Sequence, residues 1–158
     1  MKFANKEFKD YWKIIKLPVY IIVGWSVLSF IMSIISYDLY SNIFSSGAGF
    51  VLMLAIFGFI GWTAVKDYKG TVKIGAWSGA LAGAITGFVG AIISILMFYI
   101  VPDVILAAAA QAGADPSQIQ GFMAIGIYIG LVTGPLFSGL IGALLSTIAA
   151  FIATKIKK

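Results

Sequence analysis

Ile74-Gly75-Ala76-Trp77-Ser78-Gly79-Ala80-Leu81-Ala82-Gly83 opens a run that carries no charged residue as far as Val101. Within it Gly75, Gly79, Gly83, Gly87 and Ala91 fall four residues apart. On a helix that spacing traces one nearly straight ridge, so the ridge is almost bare of side chains. A second segment, 121–153, repeats the device with Gly126, Gly130, Gly134, Ser138, Gly142, Ser146 and Ala150. In water each helical glycine costs about 1 kcal/mol relative to alanine. In a bilayer the same glycines let two backbones approach closely, which is how membrane helices associate. The two segments read as a glycine-zipper helix pair, with Gly75, Gly79, Gly83 and Gly87 packing against Gly126, Gly130, Gly134, Ser138 and Gly142.

Composition points the same way. The chain has 158 residues, 61% of them hydrophobic and 11% charged, whereas a soluble domain carries about 25% charged residues. Its apolar runs exceed the roughly 18 residues that mark a membrane span. The expected fold is all-α: a polytopic membrane protein with four transmembrane helices, at about 17–37, 47–65, 74–101 and 121–153. An N-terminal amphipathic helix over 1–16 precedes this bundle of 17–158. There Lys2, Lys6, Lys9, Lys13 and Lys16 recur in steps of four and three and share one face. Ala4, Phe8, Tyr11, Trp12 and Ile15 fill the other. Such a helix lies in the headgroup plane with its lysines on anionic lipid headgroups. The alternative is a solvated basic tail that only sets topology. Pro18 suits the turn from in-plane to spanning. The first span has a basic front like a signal peptide. Its apolar run is longer than the usual 7–15 or so residues of a signal core, so it reads as uncleaved.

The charges set the orientation. Lysines occupy the N-terminus, the 66–73 link and the C-terminus, while the 38–46 and 102–120 links hold Asp38, Asp103 and Asp115 and no lysine. With four spans every basic residue lies on one side. The positive-inside rule then puts both termini on the cytoplasmic side of an inner or plasma membrane. In the second outer link, Val104-Ile105-Leu106 and four alanines form a helix-prone stretch that Gly113 stops. Asp115, Pro116 and Gln118 read as N-cap, first turn and capping box of the last helix. From Pro116 to Thr154 that helix is about 58 Å long at ~1.5 Å per residue. A hydrocarbon core is about 30 Å thick, so the helix projects from the bilayer or bends at Gly134-Pro135.

Several chemistries are missing. Cysteine and histidine are absent, which removes disulfides, thiol nucleophiles, the commonest general base and the commonest metal ligand. No aspartate, glutamate or lysine lies near the middle of a predicted span, which weighs against proton coupling. Ser26, Ser29, Ser33 and Ser36 form a polar seam on the first span. It reads as hydroxyl-mediated helix packing, with a solvated path as the alternative. No catalytic residue, metal site, cofactor or nucleic-acid partner is expected.

The second half resembles a family of small four-span prokaryotic membrane proteins of uncharacterised function. The resemblance rests on Lys73-Ile74-Gly75 leading into the glycine-rich span, Pro102-Asp103 after it, a Gly-x-x-x-x-Gln-Ile link from Gly113 to Ile119, and Gly139-Leu140-Ile141-Gly142-Ala143-Leu144 before terminal lysines. It covers about residues 60–158 and implies architecture without an activity. The expected function is non-enzymatic: helix–helix packing as a homo-oligomer or as an accessory or scaffold subunit of a membrane complex. The alternative is a small oligomeric channel or transporter.

The topology has a direct test. Single cysteines replacing Ser46 or Ala112 should react with an impermeant maleimide added to intact cells, and one replacing Lys69 should not. Labelling at Lys69→Cys would contradict the four-span arrangement.

Overall fold

The computed structural model describes residues 2–3, 6–45, 47–111, 113 and 116–156. A two-residue antiparallel ladder pairs β1 (Lys2–Phe3) with β2 (Lys6–Glu7). Then come α1 (Phe8–Ile35), α2 (Tyr37–Tyr40), a π-helical turn (Ser41–Ser45), α3 (Ala48–Lys66), α4 (Val72–Ile100), α5 (Pro102–Gln111) and α6 (Pro116–Lys155). Four segments are long and apolar enough to cross a membrane: Phe8–Ile35, Ala48–Lys66, Val72–Ile100 and Ile125–Lys155. The chain is thus an all-helical, four-span membrane protein. Asp115, the expected N-cap of α6, lies outside the described residues, as do Ala4, Lys157, Lys158 and the labelling positions Ser46 and Ala112.

The N-terminus departs from expectation. The helix begins at Phe8, not at residue 1, and runs unbroken through Pro18 to Ile35. Among the described residues no separate helix precedes α1, and the expected division at residues 16 and 17 falls inside it. Two physical causes are visible. The backbone N–H of Glu7 donates to the Asp10 carboxylate at 3.2 Å, a local stop that starts the helix after Glu7. Part of the apolar face assigned to lipid is instead covered by protein, while Phe8 stays exposed. Tyr11 and Ile15 are fully buried, and Ile14 and Val19 nearly so. They join one core with Ile56, Phe57, Ile60 and Ala64 of α3 and Ile74 and Ala82 of α4. Pro18 is fully buried too, so packing compensates for the backbone bond that proline removes. The Tyr68 hydroxyl donates to the Lys13 carbonyl at 2.9 Å and ties the α3–α4 link to this first part of α1.

The link itself is a tight turn. Gly70 N–H donates to the Ala64 carbonyl at 2.9 Å, and Lys69 adopts a left-handed φ of 48°. Thr71 caps α4 by accepting from the Ile74 N–H. At the end of α6 the Lys66 ammonium donates to the Ile156 carbonyl, a favourable place for a cation because helix C-termini carry partial negative charge. The starts of α1 and α4 and the ends of α3 and α6 therefore share one lysine-rich end. At the other end Pro102 stops α4 and opens α5, and Val104 of α5 is buried. Gly113 follows with φ 79°, the left-handed stop that a helix end favours.

One core group is out of balance. Ser78, on the buried row of α4 with Ile74 and Ala82, is fully enclosed and its hydroxyl has no hydrogen-bond partner among the described residues. A buried unpaired hydroxyl carries a desolvation penalty of about 1–3 kcal/mol. Ser78→Ala should therefore leave the thermal midpoint in detergent unchanged or raise it by the equivalent of about 1 kcal/mol. A clear fall would mean that the hydroxyl has a partner within the bundle.

Candidate functional site

Of all helix pairs, α4 and α6 share the most extensive contact. They run antiparallel, and each four-residue step on one meets a four-residue step on the other. A side chain begun at Gly75 would meet the Ala150 methyl at 2.7 Å. One begun at Gly79 would fall on the Gly142 carbonyl oxygen, and one at Gly83 on the Ser138 carbonyl oxygen. At Gly87 it would meet the Gly134 carbonyl oxygen at 2.7 Å and the Ser138 side chain at 2.8 Å. From the other side, Gly142 faces the Gly79 carbonyl oxygen and the Phe57 ring. Backbone lies against backbone, so even alanine is too large at these positions.

Helix α3 joins the same contact. A side chain on Gly61 would fall on the Ser146 carbonyl oxygen. The fully buried Ser146 hydroxyl donates to the Phe57 carbonyl at 2.8 Å, fastening α6 to α3. Gly61 was not singled out from sequence. It stands three residues after Gly58, off any four-residue series, and its partner belongs to the last helix.

The expected ridge on α6 is occupied only in part. Gly126 and Gly130, read as packing residues, have no neighbour against them within 4 Å among the described residues, and Gly134 has only ordinary contact, 3.4 Å from the Gly87 carbonyl oxygen. Helices that cross at an angle touch over a limited length, and this contact ends next to Pro135, which lies within α6. Beyond it α4 and α6 border a cleft of about 550 Å³ lined by Gly87, Ala91, Ser94, Gly126, Ile127, Gly130 and Gly134. The exposed Tyr99 and Tyr128 hydroxyls share a hydrogen bond at 2.8 Å across the two helices. A second cleft of about 380 Å³, lined among others by Ile22, Gly49, Thr86 and Ser138, shares Gly87 and Ser94 with the first.

The seam on α1 bonds to its own helix. Ser26 donates to the Ile22 carbonyl at 2.9 Å and Ser33 to the Phe30 carbonyl at 2.7 Å. Ser29 is half-buried, and the Ser36 N–H closes α1 on the Met32 carbonyl. None of the four lines either cleft. Of the N-terminal lysines, Lys2 and Lys6 lie in the β ladder, while Lys9, Lys13 and Lys16 are exposed on α1. Lys9 pairs with Glu7 at 3.0 Å, a surface contact of little energetic weight. Among the described residues no group of three or more acidic, histidine or cysteine residues could hold a metal ion.

The chain matches no family model, no curated protein and no solved structure.

The contact map yields a pair of opposed expectations. Gly83→Ala must push α4 off the Ser138 carbonyl and should destabilise the protein by about 1–3 kcal/mol, the usual range for overpacking. Gly130→Ala meets open space and should be neutral or slightly stabilising through helix propensity. Thermal unfolding of both variants in one detergent decides it; equal losses would contradict the half-occupied ridge.

Proposed function

We propose that this chain is a non-enzymatic integral membrane protein that works through helix contacts, as a homo-oligomer or as an accessory subunit of a membrane complex. The observation that carries the reading is the half-used ridge. Gly75 to Gly87 of α4 and Gly142 of α6 are consumed by contact within the chain, whereas Gly126 and Gly130, earlier in the α6 series, have no described residue against them. Bare backbone inside a bilayer favours association with another helix, because close approach gains dispersion and weak Cα–H···O contacts. Such a protein needs no reactive group, and none of the spans carries an acid or a lysine between 17 and 35, 48 and 65, 74 and 100 or 121 and 154. The lysine-rich end faces the cytoplasm in this reading, following the positive-inside rule. The membrane is the inner or plasma membrane, with both termini on the cytoplasmic side.

A second reading, a small channel or carrier, is favoured by one feature. The two clefts share Gly87 and Ser94, and the hydroxyls of Thr86, Ser94 and Ser138 lie along them. Two measurements on one preparation separate the readings. A cysteine replacing Ile127, beside the open ridge, should form a crosslinked adduct of defined mass in native membranes. The same protein in liposomes should pass neither small ions nor small neutral solutes. Flux without an adduct would favour the channel and overturn the packing role.

A further inference from the structure

On the lysine-rich half of the same helix pair, the outer side of the α4–α6 contact forms a different groove. It has a volume of about 440 Å³ and a floor of Ala76, Ala80, Ala84, Gly139 and Ala143, with Trp77 on its wall. Its cause is the close approach described above. Where two backbones touch through glycine, the flanking positions carry only methyl groups, and the larger exposed side chains beside them stand up as walls. The groove is apolar along its length and opens toward the bilayer. The α4 floor from Ala76 to Ala84 is about 12 Å long at ~1.5 Å per residue.

One cation lies at its head. Lys73 precedes Ala76 by three residues, Trp77 by four and Ala80 by seven, which puts it on the same face of α4. It is exposed and forms no ion pair among the described residues. Trp77 stands at the depth where an indole marks the boundary between headgroups and acyl chains. A trough for an alkyl chain, an interfacial aromatic and a cation one turn further out follow one another along the helix. We propose that this groove is a binding site for an anionic phospholipid, with one acyl chain along Ala76, Ala80, Ala84 and Gly139 and the phosphate on Lys73. A second copy of the chain fits less well. In the same orientation it would bring another lysine-rich end against Lys73, whereas an anionic headgroup is attracted there. The site is separate from the open ridge at Gly126 and Gly130, so it stands whether or not that ridge has a partner.

Trp77 is the probe. A variant with Trp12→Phe, Trp25→Phe and Trp62→Phe leaves it as the single indole. It is reconstituted in vesicles of phosphatidylcholine and phosphatidylglycerol, with bromine on the acyl chains of one lipid or the other. Brominated phosphatidylglycerol should be preferred at Trp77 by roughly fivefold over its share of the bilayer, the scale set by one lysine near the surface. Lys73→Gln should abolish that preference, and Ala80→Leu should weaken quenching by both lipids by filling the floor. Lys155→Gln, which removes the same charge from the exposed end of α6, should leave the preference intact. Equal quenching by the two lipids, a preference that survives Lys73→Gln, or protection from both lipids by a protein neighbour would each overturn the proposal. If the single-indole variant unfolds, phosphatidylglycerol retained per purified chain, compared between the parent and Lys73→Gln, gives the same decision; equal retention refutes the site.

Discussion

In the lysine-rich half of the bundle, the Gly142 carbonyl oxygen lies where a side chain on Gly79 would begin, and the Ser138 oxygen does the same to Gly83. Every other packing relation is built around that exclusion. A bilayer supplies no hydrophobic drive to bring helices together, since lipid tails are as apolar as leucine. What remains is dispersion, which falls steeply with a gap of even half an ångström to one ångström. Removing side chains lets two backbones reach that range along a continuous line. The glycines give up about 1 kcal/mol each of helix propensity by the water scale. In lipid the alternative to helix is unsatisfied backbone, so that preference matters less than it would in water.

The same contact organises its neighbours. α3 reaches it through Gly61 and is held by the Ser146 hydroxyl on the Phe57 carbonyl. α1 reaches it at one remove, because the row Ile74, Ser78 and Ala82 lies beside the glycine row on α4 and turns to the core that holds Tyr11 and Ile15. Ser78 can be small there because space is short, even though its hydroxyl goes unpaired. Past Gly87 the line ends, and the half of the molecule away from the lysines is looser: two clefts, a tyrosine pair across α4 and α6, and the short helix α5. One helix pair thus carries a tight half and an open half.

Much of this was legible in the sequence, for identifiable reasons. Four-residue spacing of glycine shows which face of α4 is bare, and in a chain without span charges that face has to meet a helix. The positions of Pro102 and Gly113 mark the bounds of α5 for local steric reasons. Spacing does not show where two helices stop touching, because that depends on their crossing, and so Gly126 and Gly130 look the same as Gly79 and Gly83 until the structure separates them. The N-terminal pattern is ambiguous for another reason. A lysine face opposite Tyr11 and Ile15 suits a lipid surface and a protein surface equally well; only the packing of Tyr11 and Ile15 against α3 and α4, distant in sequence, gives that part of the face to protein. Gly61 has no local signal, since its reason is a carbonyl on the last helix.

The central claim is that the fold is held at the glycine contact and loosens beyond it. Amide hydrogen exchange on the chain in lipid nanodiscs, resolved along α4 and α6, reports this directly. The account predicts the slowest exchange around Gly79 and Gly142, and distinctly faster exchange around Gly126 and Gly130. Uniform protection along both helices, or slower exchange at Gly126 and Gly130 than at Gly79 and Gly142, would contradict it.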